Sequence, residues 1–458
     1  MSVTRDLVAF AAKTTYEDLS AEAVDAAKVA MLNIIGNSIA GYQTRIGELH
    51  IGMAKSMGGG IGEATIIGDG TKVSVPLAAY ANGNLGFALD YEDTVYYITH
   101  PGYITTASGL AMGEHLGSSG RDLLLAVILG YEILARIGMS MQPTPERGAQ
   151  VWGEQYHPFA SAITTGKLLG LDADALNVSF GIAGTYATVP SAYKYFGVVN
   201  ETRPMREVKL GWGWMCMAGV VAAQSAKRGF KGGHGVLDGP QGFYIMAGSD
   251  RCDFDSMTKD LGKNWVITDT DYKPHPSIAW NHPPHDATKT LVAEHKITPD
   301  QVEKISIKGM GLNLIGDVSP AGAVDAQFSV PYTVVTTIMQ EPLLPAMYSD
   351  EKLADPVLRN LLSKVELHDD PAAFDAFFTD QHMGFTVAIG LKSGETVTRE
   401  VLWPRDQPPY GRSDIEAKFR DLAGTVMPDG QIARIMETID GLDTLGSVGE
   451  LTGLLTAG

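Results

Sequence analysis

FTVAIGLKSGETVTREV, residues 385–401, is the stretch that separates this chain from an all-helical protein. Phe385, Val387, Ile389 and Leu391 alternate with small or polar residues, the period of two that a half-buried strand requires. Ser393-Gly394 then turns the chain, and Val397 and Val401 continue a second alternating run, so a hairpin is the economical reading. Upstream, Val302, Ile305 and Ile307 predict another short strand over 302–308, while 331–339 and 355–362 read as helices. Residues 268–402 are therefore expected to form an α+β unit.

Outward from that unit the pattern is helical. Ser20 can cap a helix in which Val24, Ala27, Met31, Ile34, Ile35 and Ile39 follow the 3.6-residue period, with Gly36 and Gly41 punctuating its end. Residues 121–137 and 215–227 read as buried helices, the second rich in small residues that let helix backbones approach closely. Helical periodicity returns through Ile415, Phe419, Leu422, Ile432, Ile435 and Ile439. The fold class expected is mainly α, with a large helical domain of residues 1–267, to which 403–458 returns, and a smaller α+β domain of residues 268–402.

Composition narrows the function classes. Of 458 residues, 45% are apolar and 19% charged, which is globular and not disordered. The net charge of −18, with no visible basic patch, argues against nucleic acid and anionic membrane as partners. Two cysteines, Cys216 and Cys252, are too few for a disulfide framework, and residues 1–13 lack the features of a secretory leader, so a cytoplasmic location is expected. The apolar run Leu123–Tyr131 ends at Glu132, short of the roughly 20 residues that cross a bilayer, and reads as part of a buried helix.

Three constellations could carry chemistry. Asp90-Tyr91-Glu92-Asp93-Thr94 precedes His100-Pro101-Gly102, and an acidic cluster upstream of a histidine can set its tautomer and basicity for proton transfer; a solvated helix end followed by a turn is the alternative. His157-Pro158 stands where a helix begins, either to bind an anion with free backbone N–H groups or simply as a capping residue. Lys273-Pro274-His275-Pro276 and His282-Pro283-Pro284-His285 gather cationic groups at the expected domain boundary, where Lys273 could meet a substrate carboxylate or be an exposed loop lysine. The prolines there, and the lack of HExxH or a cysteine pair, argue against a metal site. The glycine runs 58–62 and 232–235 match neither phosphate-loop pattern and read as turns, and no GxSxG nucleophile elbow is present.

The series Ala88-Leu89-Asp90-Tyr91-Glu92-Asp93-Thr94, His100-Pro101-Gly102, Gly120-Arg121-Asp122-Leu123-Leu124, His157-Pro158 and Gly166-Lys167-Leu168-Leu169-Gly170 resembles the MmgE/PrpD family. So do Arg228-Gly229-Phe230, Gly239-Pro240-Gln241-Gly242-Phe243, Lys273-Pro274, Gln327-Phe328-Ser329-Val330-Pro331-Tyr332 and Leu362-Ser363-Lys364-Val365, in family order over nearly the whole chain. The resemblance implies a homodimer, an active site between a helical domain and an α+β lid, a small di- or tricarboxylate substrate, and neither metal nor organic cofactor. Activities in the family are 2-methylcitrate dehydration, cis-aconitate decarboxylation and iminodisuccinate epimerisation.

Position by position, the resemblance makes His100 a general base or acid, Asp90 its orienting partner, Thr94 a hydrogen-bond donor and Tyr332 a candidate acid on the opposite side. Lys273, His157 and Lys209 would bind and stabilise the carboxylate and its carbanion; Lys209 is one residue out of family register. Ile278 stands where the decarboxylases of the family carry a histidine, and the Trp-Gly-His-Pro-Ser segment of the dedicated 2-methylcitrate dehydratases is absent. With both lyase signatures incomplete, the expectation is an epimerase that removes a proton alpha to a carboxylate, with a hydro-lyase or, less favoured, a decarboxylase as alternatives, and a non-catalytic carboxylate-binding protein as the bland one.

Overall fold

Ser20 does cap the helix that follows it: its side chain accepts from the Ala23 N–H, and the helix runs Ala21–Tyr42. In this computed structural model, residues 2–58, 61–96, 98–148, 150–189, 191–192, 211–380, 382–403 and 410–458 are described. Gly36 does not end the helix as its type suggested. A Cβ there would meet the Phe419 ring at 2.9 Å, so the missing side chain lets a helix near the carboxyl end of the sequence close in.

The helices Val75–Phe87, Pro101–Leu116, Gly120–Ser140, His157–Leu168 and Trp212–Lys227 pack around one another and around Ala21–Tyr42. Gly120–Ser140 is 21 residues long with mean hydropathy 1.7, enough by length and composition to span a bilayer, yet 89% of its apolar window is buried inside the protein. Glu132 does not interrupt it, because its carboxylate lies 2.7 Å from the Arg136 guanidinium one turn on. Arg412–Ala423 and Asp429–Asp440 return to this first core and bury Ile415, Phe419, Ile432, Ile435 and Ile439 in it. At about 1.5–3 kcal/mol for each fully buried large apolar side chain, those five tie the end of the chain firmly to its beginning.

A second core lies almost wholly between Ile278 and Trp403. Two strands, β1 (Asp93–Val95) and β2 (Thr270–Tyr272), pair antiparallel with Asp93 opposite Tyr272 and join the two cores at the chain crossing. The second core is built on a four-stranded sheet of β3 (Val302–Gly309), β4 (Val365–Asp369), β5 (Met383–Leu391) and β6 (Thr396–Trp403), ordered β6-β5-β3-β4. The hairpin β5–β6 is antiparallel with Thr396 opposite Gly390, and Phe385, Val387 and Ile389 are all buried on one face. The helix His282–His295 packs against the sheet, Val330–Ile338 packs on that helix, and Pro356–Leu362 packs on Val330–Ile338. The protein is mainly α, with a large helical portion and a smaller α+β portion.

Candidate active site

The β1–β2 ladder brings together residues some 180 positions apart in sequence. Just past the ladder the Lys273 N–H donates to the Glu92 carbonyl at 3.2 Å, and the Lys273 side chain enters the acidic segment. Its Nζ lies 3.0 Å from Asp90 Oδ2 and also pairs with Glu92 Oε1. Burial pulls the lysine's pKa down, but the two carboxylates outweigh it and the net movement is upward, so Lys273 is a fixed cation. Glu92 is held below the usual carboxylate range, since Lys273 and His100 outweigh its burial.

The acidic segment itself is clamped. Asp90 sits in the left-handed region at φ 54°, a conformation Asp tolerates better than most residues. The Tyr91 carbonyl accepts from Asn37 Nδ2 at 2.8 Å and from Lys418 Nζ, which lies 3.4 Å over the Tyr91 ring. Asp93, its pKa pushed by burial up to about 6, accepts from the Tyr131 hydroxyl.

His100 is the N-cap residue of the helix Pro101–Leu116, and its ring stands between carboxylates. Nδ1 lies 2.9 Å from the Asp93 carbonyl and 3.1 Å from Glu92 Oε1. A carbonyl only accepts, so Nδ1 carries a proton and Nε2 is left for chemistry. Nε2 faces Glu154 Oε1 at 3.6 Å. Burial alone would depress this imidazole; Glu154 and then Glu92 outweigh both burial and the opposing charge of Lys273, and the pKa is pushed up to about 8. His100 is therefore mostly protonated at neutral pH.

His157 opens the helix His157–Leu168 and is fully buried. Its Nε2 lies 2.7 Å from Glu154 Oε2, and its Nδ1 meets the Tyr103 hydroxyl at 2.5 Å. Burial and the neighbouring His100 hold it below the ordinary histidine value against the pull of Glu154, so the ring is neutral. Phe87 and Trp212, stacked at 4.3 Å, form an apolar wall beside both histidines, and the Trp212 indole N–H is buried with no protein acceptor. His100, its side chain 12% exposed, is the most accessible member of the cluster; Lys273, Asp90, Glu92, Glu154 and His157 are all 4% or less.

Not every expected residue joins this group. Asp90 turns to Lys273, and the carboxylates placed on His100 are Glu92 and Glu154. The Thr94 hydroxyl donates to the Thr99 carbonyl at 3.1 Å, closing the loop that leads to His100. Tyr332 stands apart: Ser329 caps its helix, and the Tyr332 ring stacks on Tyr348 in the second core with its hydroxyl donating to the Met347 carbonyl. The Tyr332 hydroxyl, expected as an opposite-side acid, is thus engaged by a backbone carbonyl of the second core. Lys209 lies outside the described residues. Ile278 is buried in the second core, whereas His282 is close enough to Lys273 and Asp90 to feel both charges. Among the described residues no group of three or more His, Cys, Asp or Glu is arranged to hold a metal ion.

Glu154, Tyr103 and Trp212 were missed from sequence. The available signal was spacing: Glu154 stands one turn before His157, and Tyr103 one turn after His100.

A model of the MmgE/PrpD N-terminal domain matches residues 5–254, and one of the MmgE/PrpD C-terminal domain matches 275–443. The chain belongs to the MmgE/PrpD family. Among the relatives of this MmgE/PrpD protein is the cis-aconitate decarboxylase of Mus musculus, 25% identical over 403 residues that cover 82% of this chain and 78% of the relative. The enzyme of that name from Homo sapiens is 24% identical, covering 95% and 91%, and that from Aspergillus terreus 24% identical, covering 99% and 96%. Family and relatives make the protein an enzyme and support activity of the lyase or dehydratase type; the expected epimerisation finds no support among them.

Proposed function

We propose that this protein is a lyase that acts on a small di- or tricarboxylic acid bearing a β-hydroxyl, removing the proton alpha to a carboxylate and expelling water. The observation that carries the reading is His100: Nδ1 is fixed by a carbonyl, Nε2, 3.6 Å from Glu154 Oε1, is the nitrogen left to meet the substrate, and the ring is held in its acid form beside the buried cation Lys273. Lys273 receives the substrate carboxylate in place of Asp90, and the unfilled Trp212 N–H is a second donor for it. The N-termini of the His100 and His157 helices add partial positive charge to the same place. The α-proton passes to the Asp90 carboxylate released by Lys273, the C–O bond breaks as the C=C bond forms, and His100 Nε2 gives its proton to the departing hydroxyl. Fixed donors in a buried site stabilise the developing aci-carboxylate better than water does.

Decarboxylation of cis-aconitate is the second reading, favoured by the names of the relatives. There the same His100 proton would go to carbon as CO2 leaves. Ile278, apolar and buried, weighs against it, because those enzymes resemble one another in using a histidine at that place.

Proton NMR in D2O with citrate, 2-methylcitrate and cis-aconitate separates the readings. Olefinic signals appearing from a hydroxy acid support dehydration, whereas CO2 release from cis-aconitate with inert hydroxy acids replaces it by the second reading. Deuterium entering with stereochemical scrambling and no olefin would overturn both. Ligand-induced stabilisation of the fold without any turnover would leave a binding protein.

A further inference from the structure

Glu154 takes no part in the proton transfers proposed for Asp90 and His100, yet it is the only carboxylate that the described contacts place against both histidines. It lies in the turn leading into the helix His157–Leu168, where its own carbonyl accepts from the His157 N–H at 3.1 Å. The side chain is almost fully buried, 4% exposed, among the Trp212, Tyr103 and Tyr156 rings that surround His157. Satisfying a helix start is a sufficient structural reason for an acid in that turn. It is not a reason for one oxygen to face His157 Nε2 at 2.7 Å and the other to face His100 Nε2 at 3.6 Å.

We infer that Glu154 is a positioning residue whose carboxylate, set close to Nε2 of both rings, couples His100 and His157 electrostatically. This rests on the reading of His100 as the group that protonates the departing hydroxyl. With Tyr103 donating to Nδ1, neutral His157 carries its proton on Nε2, the nitrogen that lies 2.7 Å from Glu154 Oε2. Glu154 Oε1 is then free to face the Nε2–H of His100, while Glu92 and the Asp93 carbonyl hold the far side of that ring. The groups bearing on His100 are thus Glu154, Glu92 and Asp93 in favour of its proton and Lys273 and His157 against it. Close approaches, none longer than 3.6 Å, run from Tyr103 through His157, Glu154, His100 and Glu92 to Lys273 and Asp90.

The test is the titration of His100 in the free enzyme, followed by NMR of imidazole-labelled protein and assigned by its loss in His100→Gln. In the parent protein the midpoint is expected at about 8. Glu154→Gln keeps the shape and removes the charge, and should lower that midpoint by about 1 pH unit or more, the usual effect of a close opposite charge. A fall of about 1 unit leaves roughly a tenth of His100 protonated at pH 8 in place of half, so turnover drops about 5-fold there and hardly at all at pH 6. Glu154→Asp, which keeps the charge with a shorter reach, should fall between the two. His157→Asn frees Glu154 for His100 and should raise the midpoint, which decides the matter even if Glu154→Gln does not fold. An unmoved midpoint in these variants, or a loss of turnover equal at pH 6 and pH 8, reduces Glu154 to a helix-start residue and overturns the inference. Because the titration needs no substrate, it tests the Glu154 link even where the lyase reading fails.

Discussion

Replacing Lys273 with Met removes the cation set between two carboxylates that are themselves almost fully buried. The charge is held at 3.0 Å by Asp90 and more closely by Glu92, with all three side chains 4% exposed or less. Breaking a buried pair by deleting one partner costs about 3–5 kcal/mol, because the remaining charge stays desolvated. Unfolding entropy of roughly 2.1 cal/mol/K per residue, taken over 458 residues, is about 1 kcal/mol/K, so Tm should drop by about 3–5 °C in cooperative unfolding. The loss should depend on pH. In the parent, Lys273 keeps Glu92 ionised to below the usual carboxylate range, and that stability disappears only as pH falls through its lowered pKa. In the variant Asp90 and Glu92 share a dry site without the cation, so their pKa values rise and protonation relieves them at a higher pH than in the parent. Calorimetry at pH 8 and pH 5 should therefore show a large deficit that shrinks at the lower pH, and adding Glu92→Gln to Lys273→Met should recover part of it at pH 8. A deficit that is small, or the same at both pH values, would refute the claim that Lys273 is the structural counter-ion of this segment.

Further outcomes follow from the same geometry. If His100 donates the proton, kcat/KM should be flat below its midpoint and fall tenfold per pH unit above about 8, and His100→Gln should abolish turnover in a folded protein. Its raised pKa also adds stability that is complete below about 6.5 and lost as pH rises through about 8, which urea titrations across that window would record. Tyr332→Phe should leave kcat within a few-fold and cost about 1–3 kcal/mol of stability, because it strands the buried Met347 carbonyl; a loss of turnover of 100-fold or more would restore Tyr332 to the chemistry.

The hairpin, the strand at 302–309 and the capped helix at 21–42 were all legible because burial on one face imprints a period on the sequence. The edge strand Val365–Asp369 was not: its residues are exposed or half-buried, so no apolar alternation had to be kept. For the site, Asp90, His100, His157 and Lys273 were found from residue type and family order, and the structure gathers all four. Their pairing was not legible. Whether Asp90 or Glu92 faces the imidazole depends on the left-handed backbone at Asp90, which nothing in the string Asp90-Tyr91-Glu92 announces. Glu154 was overlooked since a lone acid before a helix is ordinarily a capping residue, and only the fold brings the His100 ring to its other oxygen.

The return of Arg412–Ala423 and Asp429–Asp440 to the first core has a consequence for how the protein is made. Once residue 265 has been added, residues 266–458 are still to follow, and at about 5–20 residues per second those alone take about 10–40 s. Throughout that interval the groove awaiting Ile415, Phe419, Ile432, Ile435 and Ile439 is uncovered. Lys418, which clamps the Tyr91 carbonyl, has not yet been synthesised. The nascent helical portion is therefore both sticky and inactive until the last helices arrive. A ribosome-stalled chain ending before residue 412 should recruit chaperones that bind apolar surface, and one extending through residue 458 should release them.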